Sequence, residues 1–149
     1  PMETPRQPPS ILVVDDDRDI LLSLEMLLRH HGYRVFTREK AVDLEADIRA
    51  VAPDLIILDV MFAGSARDGF DACRTLRRDP ALKKIPLILY TAINEYYPFS
   101  FAPDREDLPA DALVDKASEP SCLLHQIALL LPGRADPSRP GDGRQGEKP

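Results

Sequence analysis

Short apolar runs alternate with stretches of helical period along most of this chain. Ile11–Val14, Leu55–Leu58 and Ile85–Tyr90 are near-continuous hydrophobic segments with little alternation, the pattern of strands buried on both faces. Around them, apolar residues recur at helical spacing. Ile20, Leu21, Leu24, Leu27 and Leu28 form one such set, and Ala41, Leu44, Ile48 and Val51 a second. Phe70, Cys73 and Leu76 with Arg77 form a third, and Cys122, Leu123, Ile127, Leu130 and Leu131 close the series. Each makes an apolar stripe, so each segment is expected as an amphipathic helix packed on a sheet. Gly32 follows the first helix as a cap and leads into a further strand, Val35–Thr37, before a helix from about Glu39 to Val51 that Pro53 stops. Asp79-Pro80 ends the third helix and Pro120 opens the last. The order is βαβαβαβ, an irregular stretch, then βα. This reads as an α/β domain with five parallel strands and right-handed crossovers.

Where a fourth regular helix is due, residues 94–109 carry Pro98, Pro103 and Pro109, together with Tyr96, Tyr97, Phe99 and Phe101. The prolines are too close for a long helix. Two readings stand side by side: a loop pinned by its rings, or a partner-binding surface of aromatics with an acidic rim from Asp104 to Asp107.

Polar residues stand where the strands end. Asp15 and Asp16 follow Ile11–Val14, Asp59 follows Leu55–Leu58, Thr91 follows Leu87–Tyr90, and Lys116 follows Ala112–Val114 with one residue between. In an open parallel sheet the crevice beyond the carboxyl ends of the strands gathers residues distant in sequence. Two adjacent carboxylates there repel unless a cation holds them. With Asp59 as third member, the natural partner is Mg²⁺, a hard cation that takes carboxylate oxygens and keeps other positions for water or phosphate oxygens. Asp59 is the expected nucleophile, giving an aspartyl-phosphate, and Lys116 and the Thr91 hydroxyl would neutralise or bind phosphoryl oxygens. Asp17 is expected to cap the first helix.

Composition narrows the classes. Residues 1–9 hold four prolines, and residues 132–149 hold four prolines and four of the seven glycines; both tails are expected to be disordered. The body from 10 to 131 has fourteen lysines and arginines against twenty-one acidic residues, which argues against direct nucleic-acid binding. Cys73 and Cys122 have no metal-like spacing and are expected as buried thiols in a reducing compartment. No stretch approaches eighteen apolar residues and no secretory signal is visible, so a cytoplasmic location without membrane contact is expected. His30 and His31 suit a helix C-terminus, and Arg74, Arg77, Arg78, Lys83 and Lys84 read as a solvated face.

Together, Ile-Leu-Val-Val-Asp15-Asp16-Asp17, Pro53-Asp-Leu-Ile-Ile-Leu-Asp59, Asp68-Gly-Phe70 with Cys73-Arg-Thr-Leu-Arg77, Leu89-Tyr-Thr91-Ala and Val114-Asp-Lys116 resemble the response-regulator receiver domain of two-component signalling. The resemblance covers about residues 10–131. It implies a flavodoxin-like, doubly wound sheet of order 2-1-3-4-5, in which the proline spacing of 94–109 puts an irregular segment in place of most of the fourth helix. It also implies phosphorylation of Asp59 by a sensor histidine kinase or phosphotransfer protein. Mg²⁺ would be held by Asp16, Asp59 and the Met61 carbonyl, with Asp15 acting mainly through a bound water. Activity of its own would be limited to self-phosphorylation from acyl phosphates and slow self-dephosphorylation. With a short polar tail after residue 131 and no output module expected, signalling would run through a downstream protein, with residues 94–109 reporting phosphorylation.

The chain departs from the family pattern at three places. Ala117 follows Lys116 where the family usually has proline, often after a cis bond. A non-proline cis peptide costs roughly 2.5–4 kcal/mol, so a trans bond is expected and the reach of Lys116 becomes the softest part of the site. Leu113 takes the place of the family's switch aromatic, and the loop after Asp59 is two residues longer than the common form. Two other readings follow. A receiver-like module without regulated phosphorylation draws on Leu113 and Ala117, and a haloacid-dehalogenase-like Mg²⁺ phosphatase draws on Asp15-x-Asp17.

Overall fold

The computed structural model describes residues 8–39, 43–59, 73–92 and 110–131. The elements are β1 (Ser10–Val14), α1 (Arg18–His30), β2 (Arg34–Arg38), α2 (Leu44–Val51) and β3 (Leu55–Leu58). They continue with α3 (helical over 73–78), β4 (Leu87–Thr91), β5 (Ala112–Asp115) and α4 (Pro120–Leu130). The strands form one sheet in the order β2-β1-β3-β4-β5, all neighbours parallel. This is the flavodoxin-like arrangement implied by the resemblance. No helix among the described residues is long and apolar enough to cross a membrane.

The unalternating apolar runs are explained by two cores, one on each side of the sheet. Ile11, Val13, Leu55, Ile57, Ile88 and Val114 face α1 (Leu21, Leu24, Leu28) and α4 (Leu123, Ile127). Leu12, Val14, Ile56, Leu58, Leu87 and Leu89 face α2 (Leu44, Ile48) and α3 (Cys73, Leu76). Successive strand residues point to opposite faces, so every position from Leu55 to Leu58 is buried. At roughly 1.5–3 kcal/mol per fully buried aliphatic side chain, this double burial is the main driving force for the central strands.

Local signals set the helix ends. The Asp17 carboxylate accepts from the Asp19 and Ile20 amides, capping α1 as its sequence position suggested. At the other end the Gly32 N–H donates to the Arg29 carbonyl and the Tyr33 N–H to the Leu28 carbonyl. Gly32 has φ 92°, so this is a Schellman motif that needs a residue tolerant of the left-handed region. Helix α2 begins at Leu44, not near Glu39. Asp43 caps it by accepting from the Ala46 amide, while Glu39, itself outside any helix, accepts from Arg18 of α1 at 2.6 Å. The expected strand Val35–Thr37 is one residue longer at each end. Pro8 and Pro9, assigned by composition to the tail, give their carbonyls to the Arg34 side chain and backbone N–H respectively.

Two further expectations are corrected. Cys73 is buried as expected, but Cys122 is exposed, because α4 is apolar almost all round and periodicity cannot choose its inner face. Arg77 does not belong to a solvated face. Its guanidinium is half-buried and donates to the carbonyls of Lys83 (2.8 Å) and Ile85 (3.1 Å) and to Asp111 Oδ2 (2.5 Å). The segment 94–109, Phe70 and the loop after Asp59 lie outside the described residues.

Candidate functional site

The site is assembled by backbone ladders that run one residue past the strands. The Asp15 N–H donates to the Arg38 carbonyl (3.2 Å), the Asp59 N–H to the Val14 carbonyl (3.1 Å), and the Lys116 N–H to the Thr91 carbonyl (2.9 Å). Each chemistry-bearing residue is thus pinned to a neighbouring strand at the carboxyl edge of the sheet, where Thr91 also ends β4. Asp15, Asp59 and Thr91 are 2%, 5% and 1% exposed. Burial of three polar residues at one edge is costly without partners.

Lys116 supplies much of the compensation. Its Nζ lies 2.8 Å from Asp15 Oδ2 and 3.2 Å from Asp59 Oδ2, and the second Asp15 oxygen accepts the Asp17 N–H at 2.9 Å. Burial pushes the Asp15 carboxyl above its ordinary value, against the opposing pull of the Lys116 hydrogen bond. Burial acts to lower the Lys116 ammonium, but the hydrogen bond and charge of Asp15, joined by those of Asp59, outweigh it and leave Lys116 raised. The ammonium therefore stays charged in the crevice.

Carboxylate oxygens of Asp15, Asp16 and Asp59 lie within 4.8 Å of one another. Asp16 is exposed while the other two are buried. An all-oxygen, strongly anionic donor set with one solvent-facing member fits a hard divalent cation such as Mg²⁺. The Thr91 Oγ1 is buried with no hydrogen-bond partner among the described residues. A buried orphan hydroxyl costs about 1–3 kcal/mol, and a donor kept unsatisfied at this edge is suited to an incoming oxygen-rich group. Met61 lies outside the described residues.

The sequence-expected set Asp15, Asp16, Asp59, Thr91 and Lys116 is thus brought to one sheet edge. The Lys116–Ala117 peptide is trans, as expected, and Lys116 still reaches both buried carboxylates. Spacing did not point to Asp115. Its carboxylate accepts the Ala117 N–H at 3.0 Å, and its carbonyl accepts the Ser118 N–H at 2.9 Å and the Ser118 hydroxyl at 2.6 Å. An Asp two residues before a turn amide is the signal that could have found it. Leu113 pairs with Leu89 across β4 and β5 and packs, half-buried, against the α2/α3 core. Tyr90 packs on the opposite core. Asp17 caps α1 through a single carboxylate oxygen, which accepts the Asp19 and Ile20 amides.

A family model described as response regulator receiver domain matches residues 11–128. Among curated relatives, the transcriptional regulatory protein AfsQ1 of Streptomyces coelicolor is 44% identical over 87 residues, covering 58% of this chain and 36% of that protein. The transcriptional regulatory protein GltR of Pseudomonas aeruginosa is 34% identical over 125 residues, covering 82% and 48% respectively. The chain thus spans less than half the length of either relative. Among solved structures, the response regulator TrrA of Thermotoga maritima in complex with Mg²⁺-BeF has a TM-score of 0.68 at 28% identity, covering 82% of this chain and 98% of that one. A putative response regulator from Chloroflexus aurantiacus has a TM-score of 0.69 at 28% identity, covering 83% and 98%. Matched by the family model over most of its length and built on the same fold, the chain belongs to the response-regulator receiver-domain family of two-component signalling.

Proposed function

We propose that this receiver accepts a phosphoryl group on Asp59, from the phosphohistidine of a sensor histidine kinase or phosphotransfer protein, or from a small acyl phosphate. The observation that carries the reading is the Lys116 ammonium held between Asp15 and Asp59, at 2.8 and 3.2 Å, on the edge that also buries the Thr91 hydroxyl, unpartnered among the described residues. An Asp59 oxygen forms the new bond to phosphorus as the bond from phosphorus to the donor nitrogen or oxygen breaks, and the donor leaves with the electron pair. Lys116 and Thr91 take the charge that spreads over the phosphoryl oxygens, the main catalytic demand of such a transfer. Asp15, Asp16 and Asp59 would hold Mg²⁺, with the Met61 carbonyl as a further ligand; when bound, the ion supplies charge neutralisation for carboxylates and phosphoryl group alike.

Phosphorylation adds about −1.5 to −2 charges at the crevice. The Lys116 contact with Asp59 is then available to a phosphoryl oxygen. The signal passes to a protein partner, with residues 94–109 as the reporting surface, and the acidic balance of −6 supports a protein rather than nucleic acid as the direct contact. Incubation with acetyl phosphate and Mg²⁺ followed by intact-mass measurement tests the reading. The expected result is a hydroxylamine-labile phosphoryl adduct that Asp59→Asn abolishes. No adduct, or one that persists in Asp59→Asn, overturns it.

A further inference from the structure

The turn that carries Lys116 is built differently from a rigid-ring turn. Lys116 and Ala117 form a turn directly after β5, joined by a trans peptide, with no proline to restrict the backbone. An alanine there leaves φ and ψ free, and a long lysine stem on a loose turn would lose much of its aim. Yet the Nζ sits within 3.2 Å of two buried carboxylates. The Asp115 contacts supply the missing rigidity. Its carboxylate accepts the Ala117 N–H at 3.0 Å, and its carbonyl is shared by the Ser118 N–H and hydroxyl at 2.9 and 2.6 Å. Asp115 is itself fixed on the sheet, paired in register with Thr91. The Lys116 N–H donates to the Thr91 carbonyl, so the lysine backbone is clasped from both sides.

We infer that Asp115, assisted by Ser118, is a positioning residue for the phosphoryl-transfer site: its side chain locks the turn that aims Lys116. This rests on the proposed function for its kinetic consequence, though not for its structural one. Asp115 acts as a hydrogen-bond acceptor on the turn, not as a charge at the reacting atoms. Asparagine keeps an acceptor oxygen at the same reach and should therefore serve, whereas alanine should not. Ser118→Ala should have the smaller effect, because the Ser118 backbone N–H still reaches the Asp115 carbonyl.

The experiment compares wild type, Asp115→Ala, Asp115→Asn and Ser118→Ala in acetyl phosphate at saturating Mg²⁺, with Mg²⁺ affinity measured by titration calorimetry. Asp115→Ala should slow adduct formation about five- to tenfold, the equivalent of one net hydrogen bond. Asp115→Asn should stay within about twofold of wild type, and Mg²⁺ affinity should be unchanged in all variants. An Asp115→Ala variant as fast as wild type overturns the inference. So does an Asp115→Asn variant as slow as Asp115→Ala, which would make the effect one of charge. So does parallel weakening of Mg²⁺ binding, which would indicate a general loosening of the site. A second arm reads the clasp without phosphorylation, by urea unfolding of Asp115→Ala in wild-type and Lys116→Met backgrounds. Non-additive losses support the inference and additive losses overturn it. If wild type takes no adduct, the phosphorylation reading fails and this cycle alone decides the positioning role.

Discussion

Replacing Lys116 with methionine keeps most of the aliphatic stem and removes the ammonium that lies 2.8 Å from Asp15 and 3.2 Å from Asp59. At an effective dielectric constant of about 20, each contact has a gross attraction of roughly 5–6 kcal/mol. Much of that is offset by the hydration the lysine has already given up, since its side chain is only 20% exposed. The variant keeps the penalty on the other side, two buried carboxylates that have lost the Lys116 ammonium. One-sided removal of such a partner costs about 3–5 kcal/mol. A loss of about 3 kcal/mol is expected near pH 7 without divalent cation, because Asp16 stands at the solvent and lets water relieve part of the charge.

The dependence on conditions follows from protonation. Asp15 is already raised in the native protein, so between its unfolded value of 3.8 and its native value the folded state binds a proton that the unfolded chain has released. Stability from this group is greatest at the acid end and falls as pH rises through that window. Without Lys116 a lowering influence is gone, so the window extends upward and the fall deepens. The penalty of the variant should therefore shrink when pH is lowered from about 7.5 to about 5. Saturating Mg²⁺ should recover about 2.7 kcal/mol at a hundredfold excess over its dissociation constant. Lys116 itself is raised above 10.5, so its contribution in wild type is complete below that value and fades only as pH climbs through the native one. Urea unfolding followed by far-ultraviolet circular dichroism measures each case. A loss below about 0.5 kcal/mol near pH 7, or one indifferent to both pH and Mg²⁺, would refute the electrostatic account.

Three further outcomes are expected. Thr91→Val removes a buried hydroxyl that has no partner among the described residues; thermal stability should hold or rise by up to about 1 kcal/mol, while adduct formation from acetyl phosphate slows, and a marked drop in melting temperature would contradict this. Burial pushes the Cys73 thiol to about 12 whereas Cys122 is exposed, so a thiol-reactive disulfide reagent near pH 8 should label Cys122 quickly and Cys73 only upon unfolding; rapid native labelling of both would be inconsistent. Asp111→Ala should cost about 2 kcal/mol in chemical denaturation, because its carboxylate takes the Leu87 N–H at 2.8 Å and Arg77 at 2.5 Å; an unchanged denaturation midpoint would argue that water replaces both contacts.

What the sequence made legible was whatever depends on local period and on strand ends. The Ile11–Val14 and Leu55–Leu58 runs announce strands covered on both faces, and a polar residue after such a run can only emerge at the carboxyl edge. Asp15, Asp59 and Thr91 follow from that geometry, as does the Asp17 cap. Side-chain clasps between distant segments were not legible. Arg77 looks like one of several surface cations until the fold brings the Lys83 and Ile85 carbonyls and Asp111 around it. The exposure of Cys122 is not legible because a helix reading Pro-Ser-Cys-Leu-Leu-His-Gln-Ile-Ala-Leu-Leu has little polar face to betray which side is out. Leu129 on the same helix is 56% exposed. The start of α2 lies several residues beyond the expected Glu39, because Glu39 is compatible with a helix whereas the Asp43 cap depends on the Ala46 amide.

The division of the interior by the sheet makes sequence neighbours into strangers. Ile57 and Leu58 are joined by one peptide bond, yet Ile57 belongs to the α1/α4 side and Leu58 to the α2/α3 side. Among the described residues their side chains belong to separate clusters on opposite faces of the sheet, so truncating both should cost close to the sum of the separate losses. Ile57 and Leu28, nearly thirty positions apart in the chain but within one core, should not behave so simply. The sheet is thus a wall shared by two separately packed compartments. Either compartment can be refilled with different hydrophobic residues of matched volume while the other, and the wall's chemically active rim, keep their arrangement.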